Sequence, residues 1–558
     1  MYNLLVGGIL YCPSMKGEVL IGFYNFATSV MKKTYLSLWI LWIVCIITVP
    51  VVLYFINVKN NNMTFHNVAD EQLELYTMSD KEIIDTVVDN FMLLTQVPRP
   101  SHHEQRISNY LMDWAKEQGL NPVQDSVYNV MFDVPATQWL EDKPLGILQA
   151  HMDMVVAVAN GKEFDKLSDP ITAIRNDEEW TLTADGTSLG ADDGAWIALL
   201  MAVTQGKIAH GPLRMIITVD EEDGMDGALN ISPVWFNGAS FLINIDNEWS
   251  SEVLVSTAAG DDSRIEKKIS QVNPMGNMAL KIGILNLKGG HSGVEIDKWR
   301  LNGIVWLAKF LRQLDINYEL ASFEGWTASN AIPTRANAVL VIDKNDKELV
   351  EQKFGEYCDM IKSEYKGIED EITCEVNVIE ELPQVINQEE RDNIIKFITE
   401  TIDGVYTMSE DMEDLVESSS NLGIARLDSE WLFLNALIRS SSPEMEVEVV
   451  NAWLDLAKEC GFEATYKQTS AAWKFDPDSQ LLELTKKIYL AENGEEITVS
   501  AVHAGLECGT FKKLKPDLDM VSIGPDLTDW HTIKETLYLN SIPKVWRLLE
   551  GVLVEYSK

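Results

Sequence analysis

Short apolar runs that end abruptly in an acid or a histidine recur along this chain, and they constrain its fold more than any other feature. Gly146-Ile147-Leu148 leads into His151 and Asp153, and Leu213 to Val219 leads into Asp220-Glu221-Glu222-Asp223-Gly224. Phe241 to Ile245 ends in Asp246, and Met520 to Ile523 is followed across Gly524-Pro525-Asp526 by His531. Between these runs, Leu189-Gly190-Ala191-Asp192-Asp193-Gly194 opens an apolar helix from Trp196 to Val203. Strands alternating with helices predict an α/β fold with a mixed, largely parallel sheet flanked by helices. In such sheets chemistry collects beyond the carboxyl ends of the strands.

The rest of the chain divides by texture. Ser79-x-x-Glu82 is a capping-box pattern, followed at helical spacing by Ile83, Ile84, Val87, Val88, Phe91 and Met92. Ser101-x-x-Glu104 predicts a second cap, with Gly119 as the stop of that helix. His102 and His103 at its start read as surface or packing residues, since adjacent side chains do not share a helix face. From about Gly260 strands and helices mix and charge density rises, which predicts an inserted α+β domain over 260–470. Residues 78–259 and 471–558 then form the two halves of one catalytic domain.

Ahead of them, 35–56 is an uncharged run long enough to span a bilayer. Lys32 and Lys33 precede it, so the positive-inside rule predicts a single-pass membrane protein with a tail over 1–34 and a linker over 57–77. A signal peptide starting at Met31 is the second reading of this run. Translation from Met78, giving a cytoplasmic enzyme, is the third.

Length and charge narrow the function. A chain of 558 residues exceeds a single core. With 45 basic against 86 acidic residues, a net charge of −41 excludes a nucleic-acid binder, which needs a clustered basic footprint. Six scattered cysteines show neither a zinc-ribbon spacing nor a disulfide framework and suit a reducing compartment.

Five potential ligands therefore stand at one sheet edge: His151, Asp192, Glu222, Asp246 and His531. Imidazole and carboxylate together suit Zn²⁺ better than Ca²⁺ or Mg²⁺, which prefer all-oxygen shells. A carboxylate shared between two ions is the arrangement of two-metal hydrolysis. Asp153, two residues after His151 and so on the same side of an extended backbone, is placed to orient that imidazole. Glu221, next to Glu222 but facing the other way, is placed to act as general base.

Several stretches also resemble a known family. Gln149-Ala150-His151-Met152-Asp153-Met154-Val155, Leu189 to Gly194, Glu221 to Gly227 and Ile243-Asn244-Ile245-Asp246 are similar to signatures of aminoacyl-histidine dipeptidases. These are also called cytosol non-specific dipeptidases, within the aminoacylase and carboxypeptidase type of di-zinc peptidase. Leu287 to Gly293, Asn330-Ala331-Ile332-Pro333 and His503 to Gly509 match as well, in one order from about Ser79 to the C-terminus.

The resemblance implies a dipeptidase acting on Xaa-His and other dipeptides through water shared by two zinc ions, with Mn²⁺ or Co²⁺ as substitutes. His151, Asp192 and Asp246 would hold one ion and Asp192, Glu222 and His531 the other. It also implies a lid over 260–470, with His291, Asn330 and Arg439 binding substrate, and a homodimer. An N-acyl amino acid deacylase or carboxypeptidase on the same scaffold, or a membrane-tethered peptide-binding protein, is the alternative. The chain departs from the family pattern at Asp193, where Asn is usual, at Thr334 before Arg335, and at Thr532-Ile533 after His531.

Overall fold

The computed structural model describes residues 76–326 and 328–556. The chain divides into two units, Met1–Thr77 and Met78–Lys558, and every element named below belongs to the second. The sequence-predicted spanning run 35–56 lies outside the described residues. Among those described, no helix is long and apolar enough to cross a membrane. The longest, Lys347–Glu364, has 18 residues and carries charges along its length.

Eight strands form the sheet that carries the strand-end acids: β1 (Val123–Gln124), β2 (Val130–Val134), β3 (Leu145–His151), β4 (Leu213–Thr218), β5 (Ala239–Asn244), β6 (Glu252–Thr257), β7 (Thr498–Val502) and β8 (Asp519–Ser522). Their spatial order is β1-β2-β4-β3-β5-β8-β6-β7. The centre, β4-β3-β5-β8, is parallel. The β1–β2 and β2–β4 pairs are antiparallel, as is the single pairing of β8 with β6. The sheet is mixed, as the alternation of strands and helices predicts for its core. Both late strands, β7 and β8, are built into it, so residues from Thr498 on complete a sheet begun at Val123.

Helix α1 (Asp80–Leu94) starts at the predicted box: the Ser79 side chain accepts from Glu82 N and the Glu82 side chain accepts from Ser79 N. Such caps are worth about 1 kcal/mol. Ile83, Ile84, Val87, Val88 and Phe91 are buried on the predicted face, each such side chain contributing roughly 1.5–3 kcal/mol by leaving water, while Met92 stays exposed. Helix α2 (Gln105–Glu117) ends at Gly119, whose φ of 80° turns the chain left-handed as predicted. Helix α3 (Ala191–Thr204) is buried along nearly its whole length and packs against α1 and β3.

A second sheet of nine strands is built only from residues between Ala259–Lys268 and Ala464–Ser470. Its core, with Leu280, Phe310, Phe323, Phe354 and Leu434, is separate from the core beneath β3. The fold is thus the expected mixed α/β sheet interrupted by a lid. The cysteines depart from expectation in one respect. Cys358 and Cys374 form a disulfide across a separation of 16 residues, because a helix and the strand that follows it return side by side.

Candidate metal centre

His151 is the last residue of β3 and is 1 % exposed. Its Nε2 lies 3.0 Å from Asp192 Oδ1, 3.7 Å from Asp193 Oδ2 and 3.9 Å from Asp246 Oδ1. The other oxygen of Asp192 lies 3.2 Å from His531 Nε2, and that nitrogen is 2.9 Å from Glu222 Oε1. Two groups of ligand atoms result, His151/Asp192/Asp193/Asp246 and Asp192/Glu222/His531, each within 4.8 Å of one another. Asp192 belongs to both and turns one oxygen to each histidine. All five sequence-predicted ligands are therefore brought together at the carboxyl edge of the sheet.

The backbone that holds Asp192 is fixed chiefly by Glu535 and Arg99, which no sequence motif marks. Residues 189–192 lead into α3, where the first amides have no intrahelical acceptor. Glu535 supplies them: its carboxylate accepts from Leu189 N at 2.8 Å, Gly190 N at 3.0 Å, Ala191 N at 2.7 Å and Asp192 N at 3.4 Å. Asp192 and Asp193 are joined by a cis peptide bond. Asp193 Oδ2 accepts from His151 N at 2.8 Å, so the departure from the family's Asn still ties the two loops together. Arg99, 2 % exposed, donates to the carbonyls of Met152 and Asp153 and also to that of Gly190. Gly190 has a φ of 70°, and a Cβ there would meet Arg99 Nη2 at 2.7 Å, so a larger residue would expel the guanidinium.

Asp153, fully buried, lies with Oδ1 3.3 Å from His151 Nδ1. It also accepts from Glu221 N at 3.0 Å, Glu222 N at 3.3 Å and the Ser101 hydroxyl at 2.8 Å. Ser101 is thus not the helix cap its pattern predicts. Glu104 occupies the cap position of α2 without a side-chain capping bond. Below the site a polar layer closes the sheet: Gln149 and Thr218 donate to Glu507 at 2.6 and 2.7 Å, and Asn244 donates to Gln149.

The electrostatics are those of a cation site. Burial opposes charge on His151, yet Asp193, Asp153 and Asp192 push its pKa well above the ordinary value. Burial likewise lowers His531, but Asp192 and Glu222 outweigh it and raise the imidazole to about 10. Burial, reinforced by the neighbouring Asp193, raises Asp246 well above a normal carboxyl. Asp246 Oδ2 and Asp193 Oδ1 are buried without a hydrogen-bond partner. Buried charges persist when they are paired or coordinate a metal, and this donor set fits a cation that accepts both nitrogen and oxygen.

The lid residues form a second group. Arg439, buried, has no hydrogen-bond partner at Nε, and burial lowers its pKa to about 10. A Cβ on Gly293 would fall 3.0 Å from His291 Cε1 and 3.2 Å from Arg439 Nε, so both side chains crowd that glycine. His503 places its carbonyl at the same point, and its Nε2 lies 2.7 Å from Ser419 Oγ. Asn330 is exposed, and its carbonyl accepts from Ser292 N.

Residues 147–555 match the model of peptidase family M20/M25/M40. The chain belongs to this family. It is 32% identical over 471 residues to the cytosol non-specific dipeptidase of Escherichia coli (strain K12), covering 84% of this chain and 96% of that protein. The crystal structure of aminoacylhistidine dipeptidase from Vibrio alginolyticus superposes with a TM-score of 0.78 at 30% identity, again over 84% of this chain and 96% of that one. The resemblance read from the motifs is thereby established, and the chain is a metallopeptidase of this fold. The expected membrane location is corrected. Among the described residues no helix is long and apolar enough to span a bilayer, and the Escherichia coli relative is named for the cytosol.

Proposed function

We propose that the chain hydrolyses dipeptides, Xaa-His among them, with two divalent cations held by five of its side chains. His151, Asp192 and Asp246 would hold one, and Asp192, Glu222 and His531 the other. Zinc suits this histidine and carboxylate set best, with Mn²⁺ or Co²⁺ as substitutes. Bound there, the ions supply Lewis acidity to a peptide carbonyl and lower the pKa of water. The observation that carries this reading is Asp192, which reaches both histidines from one carboxylate in a chain whose relatives are dipeptidases.

The remaining chemistry falls to the chain's own groups. Burial first, then Glu222, Glu507 and Asp153, raise the Glu221 carboxyl well above its ordinary value against the opposing pull of His151. The Glu221 carboxylate accepts a proton from the attacking water and returns it to the leaving amine nitrogen. Asp153 holds the Glu221 and Glu222 amides with one carboxylate, so the base and its neighbouring ligand keep a fixed register.

In the lid, His291 Nδ1 accepts from Gly293 N and Val294 N, each at 3.2 Å. That assigns the imidazole proton to Nε2, from which it donates to the scissile carbonyl oxygen. Burial and the nearby Arg439 lower the His291 pKa, keeping it a neutral donor. Arg439, on the strand Trp431–Ser440 with Nε unpartnered, receives the substrate carboxylate, and Asn330, whose carbonyl accepts from Ser292 N, binds substrate from the His291 side. Residues 260–470 act as the lid and 78–259 with 471–558 as the catalytic domain, a division supported by the two separate sheets and cores.

Glu221→Gln in the zinc-loaded chain tests the assignment. It lowers kcat toward a Xaa-His dipeptide by at least about 10²-fold with metal content unchanged. Undiminished turnover would refute it, and cleavage of N-acyl amino acids in place of dipeptides would assign the site to deacylation.

A further inference from the structure

The segment that carries His291 has little regular structure. It leaves the strand Met278–Leu285, passes Gly289 and Gly290, and returns to the helix Gly303–Gln313. Gly290 and His291 pair with Ile332 and Ala331 over two residues only, and a single 3-10 turn follows at Ile296–Lys298. Leu287 and Leu301 anchor its two ends in the lid core and Ile296 packs against Ile332 and Val416, but Val294 is 50 % and Trp299 72 % exposed. Polar contacts fix the backbone between these points. Glu295 accepts from His291 N at 2.9 Å and from Arg300 Nη2 at 2.5 Å, and Arg300 also donates to the Gly289 carbonyl.

One buried side chain grips both ends of this excursion. Glu369, 2 % exposed, accepts from Lys288 N at 2.7 Å through Oε2 and from Leu301 N at 3.1 Å through Oε1. It sits in the connection between the helix Lys347–Glu364 and the strand Thr373–Ile379, where Glu369 N donates to Tyr365 O at 2.9 Å. The disulfide Cys358–Cys374 joins the two elements that flank this connection. Thr373 pairs with Leu285, where the excursion begins, and Asn286 donates to the Thr373 hydroxyl at 2.8 Å. The carboxylate therefore has a fixed place relative to the lid sheet and imposes it on residues 288 and 301.

We propose that Glu369 is a positioning residue for substrate recognition, closing the 288–301 excursion so that His291 is presented at one fixed place. This inference rests on the substrate role given to His291 above. Charge-assisted acceptance of two amides by a single buried carboxylate is strong and directional, and a shift of about 1 Å in a recognition group costs up to about 10²-fold in rate.

The test uses full-length, zinc-loaded protein carrying Glu369→Ala, Glu369→Gln, His291→Ala, and Glu369→Ala combined with His291→Ala. Amide exchange over 288–301 and kcat/KM for a dipeptide are read in each. Glu369→Ala should speed exchange at Lys288 and Leu301 and lower kcat/KM by about tenfold. Glu369→Gln, which keeps one acceptor oxygen, should fall in between. In the His291→Ala background Glu369→Ala should cause no further loss.

Unchanged exchange, or an equal loss of activity in both backgrounds, would overturn the proposal in favour of a purely structural role. Wild-type kinetics for His291→Ala would instead strike the His291 assignment and, through it, the functional half of the proposal. The exchange data alone would then report whether the clamp exists, so the two failures are distinguishable.

Discussion

Glu535 offers the sharpest quantitative expectation. Its carboxylate takes three well-formed hydrogen bonds, from Leu189, Gly190 and Ala191, and a longer one from Asp192. In Glu535→Gln one amide oxygen replaces two carboxylate oxygens, and the new NH₂ faces two N–H donors. At least two buried donors then lose their acceptor, at about 1–3 kcal/mol each, or roughly 2–6 kcal/mol together.

Part of that cost returns. Burial, with Asp192 adding to it, raises the Glu535 pKa, so the wild-type charge is itself disfavoured and its loss gives back some stability. The lower half of the range, about 2–4 kcal/mol, is the expected result, against a typical domain stability of 5–15 kcal/mol. Urea unfolding of metal-free protein measures it directly. The same variant should bind zinc more weakly, because Asp192 sits at the end of the released segment. A loss below about 1 kcal/mol with unchanged zinc affinity would instead mean that these amides are satisfied without Glu535.

Other outcomes follow from the same geometry. Asp193→Asn should keep dipeptide hydrolysis within about threefold of wild type, because an amide oxygen can still accept from His151 N and Asp193 Oδ1 has no partner to lose; abolished activity would make the extra charge essential. Ser101→Ala removes one of the bonds on Asp153 and should lower kcat/KM by about 3–10-fold, for roughly 1 kcal/mol, without changing metal content.

His503 gives a pH dependence. Burial, aided by Arg439, holds its pKa down to about 3, so it is neutral when folded but protonates near 6.5 when unfolded. Its contribution is complete above about pH 6.5 and shrinks as pH falls, by about 1.4 kcal/mol per unit. A His503→Gln variant should therefore lose stability less steeply than wild type between pH 6.5 and 5, and parallel curves would contradict the assignment.

What the sequence made legible was the strand edge. An apolar run that stops at His151, and others that stop before Asp220 and Asp246, announces both the strand and its functional end, because polarity changes abruptly there while the chain stays buried. The Ser79 box was equally readable, being complete within four residues. Ser101 carried the same local pattern, but its hydroxyl goes to Asp153, 52 residues away, where a buried carboxylate competes better than a helix terminus.

Glu535 left no local trace, since the amides it binds lie 343 to 346 residues earlier. The antiparallel edge strand β1, with two residues, is too short to show a period. The Cys358–Cys374 pair was hidden because its elements meet only through the turn between them. His291 and Arg439 were legible through the family resemblance alone; no spacing in the chain predicts that both crowd Gly293.

Hydrolysis should depend on cations held by the two groups that share Asp192. Titrating zinc into chelator-stripped protein while following Xaa-His hydrolysis measures that dependence. The stripped protein should show no turnover and recover fully at two equivalents of zinc per chain, with a His531→Ala variant losing one of the two equivalents. Hydrolysis that survives complete removal of metal would contradict that dependence.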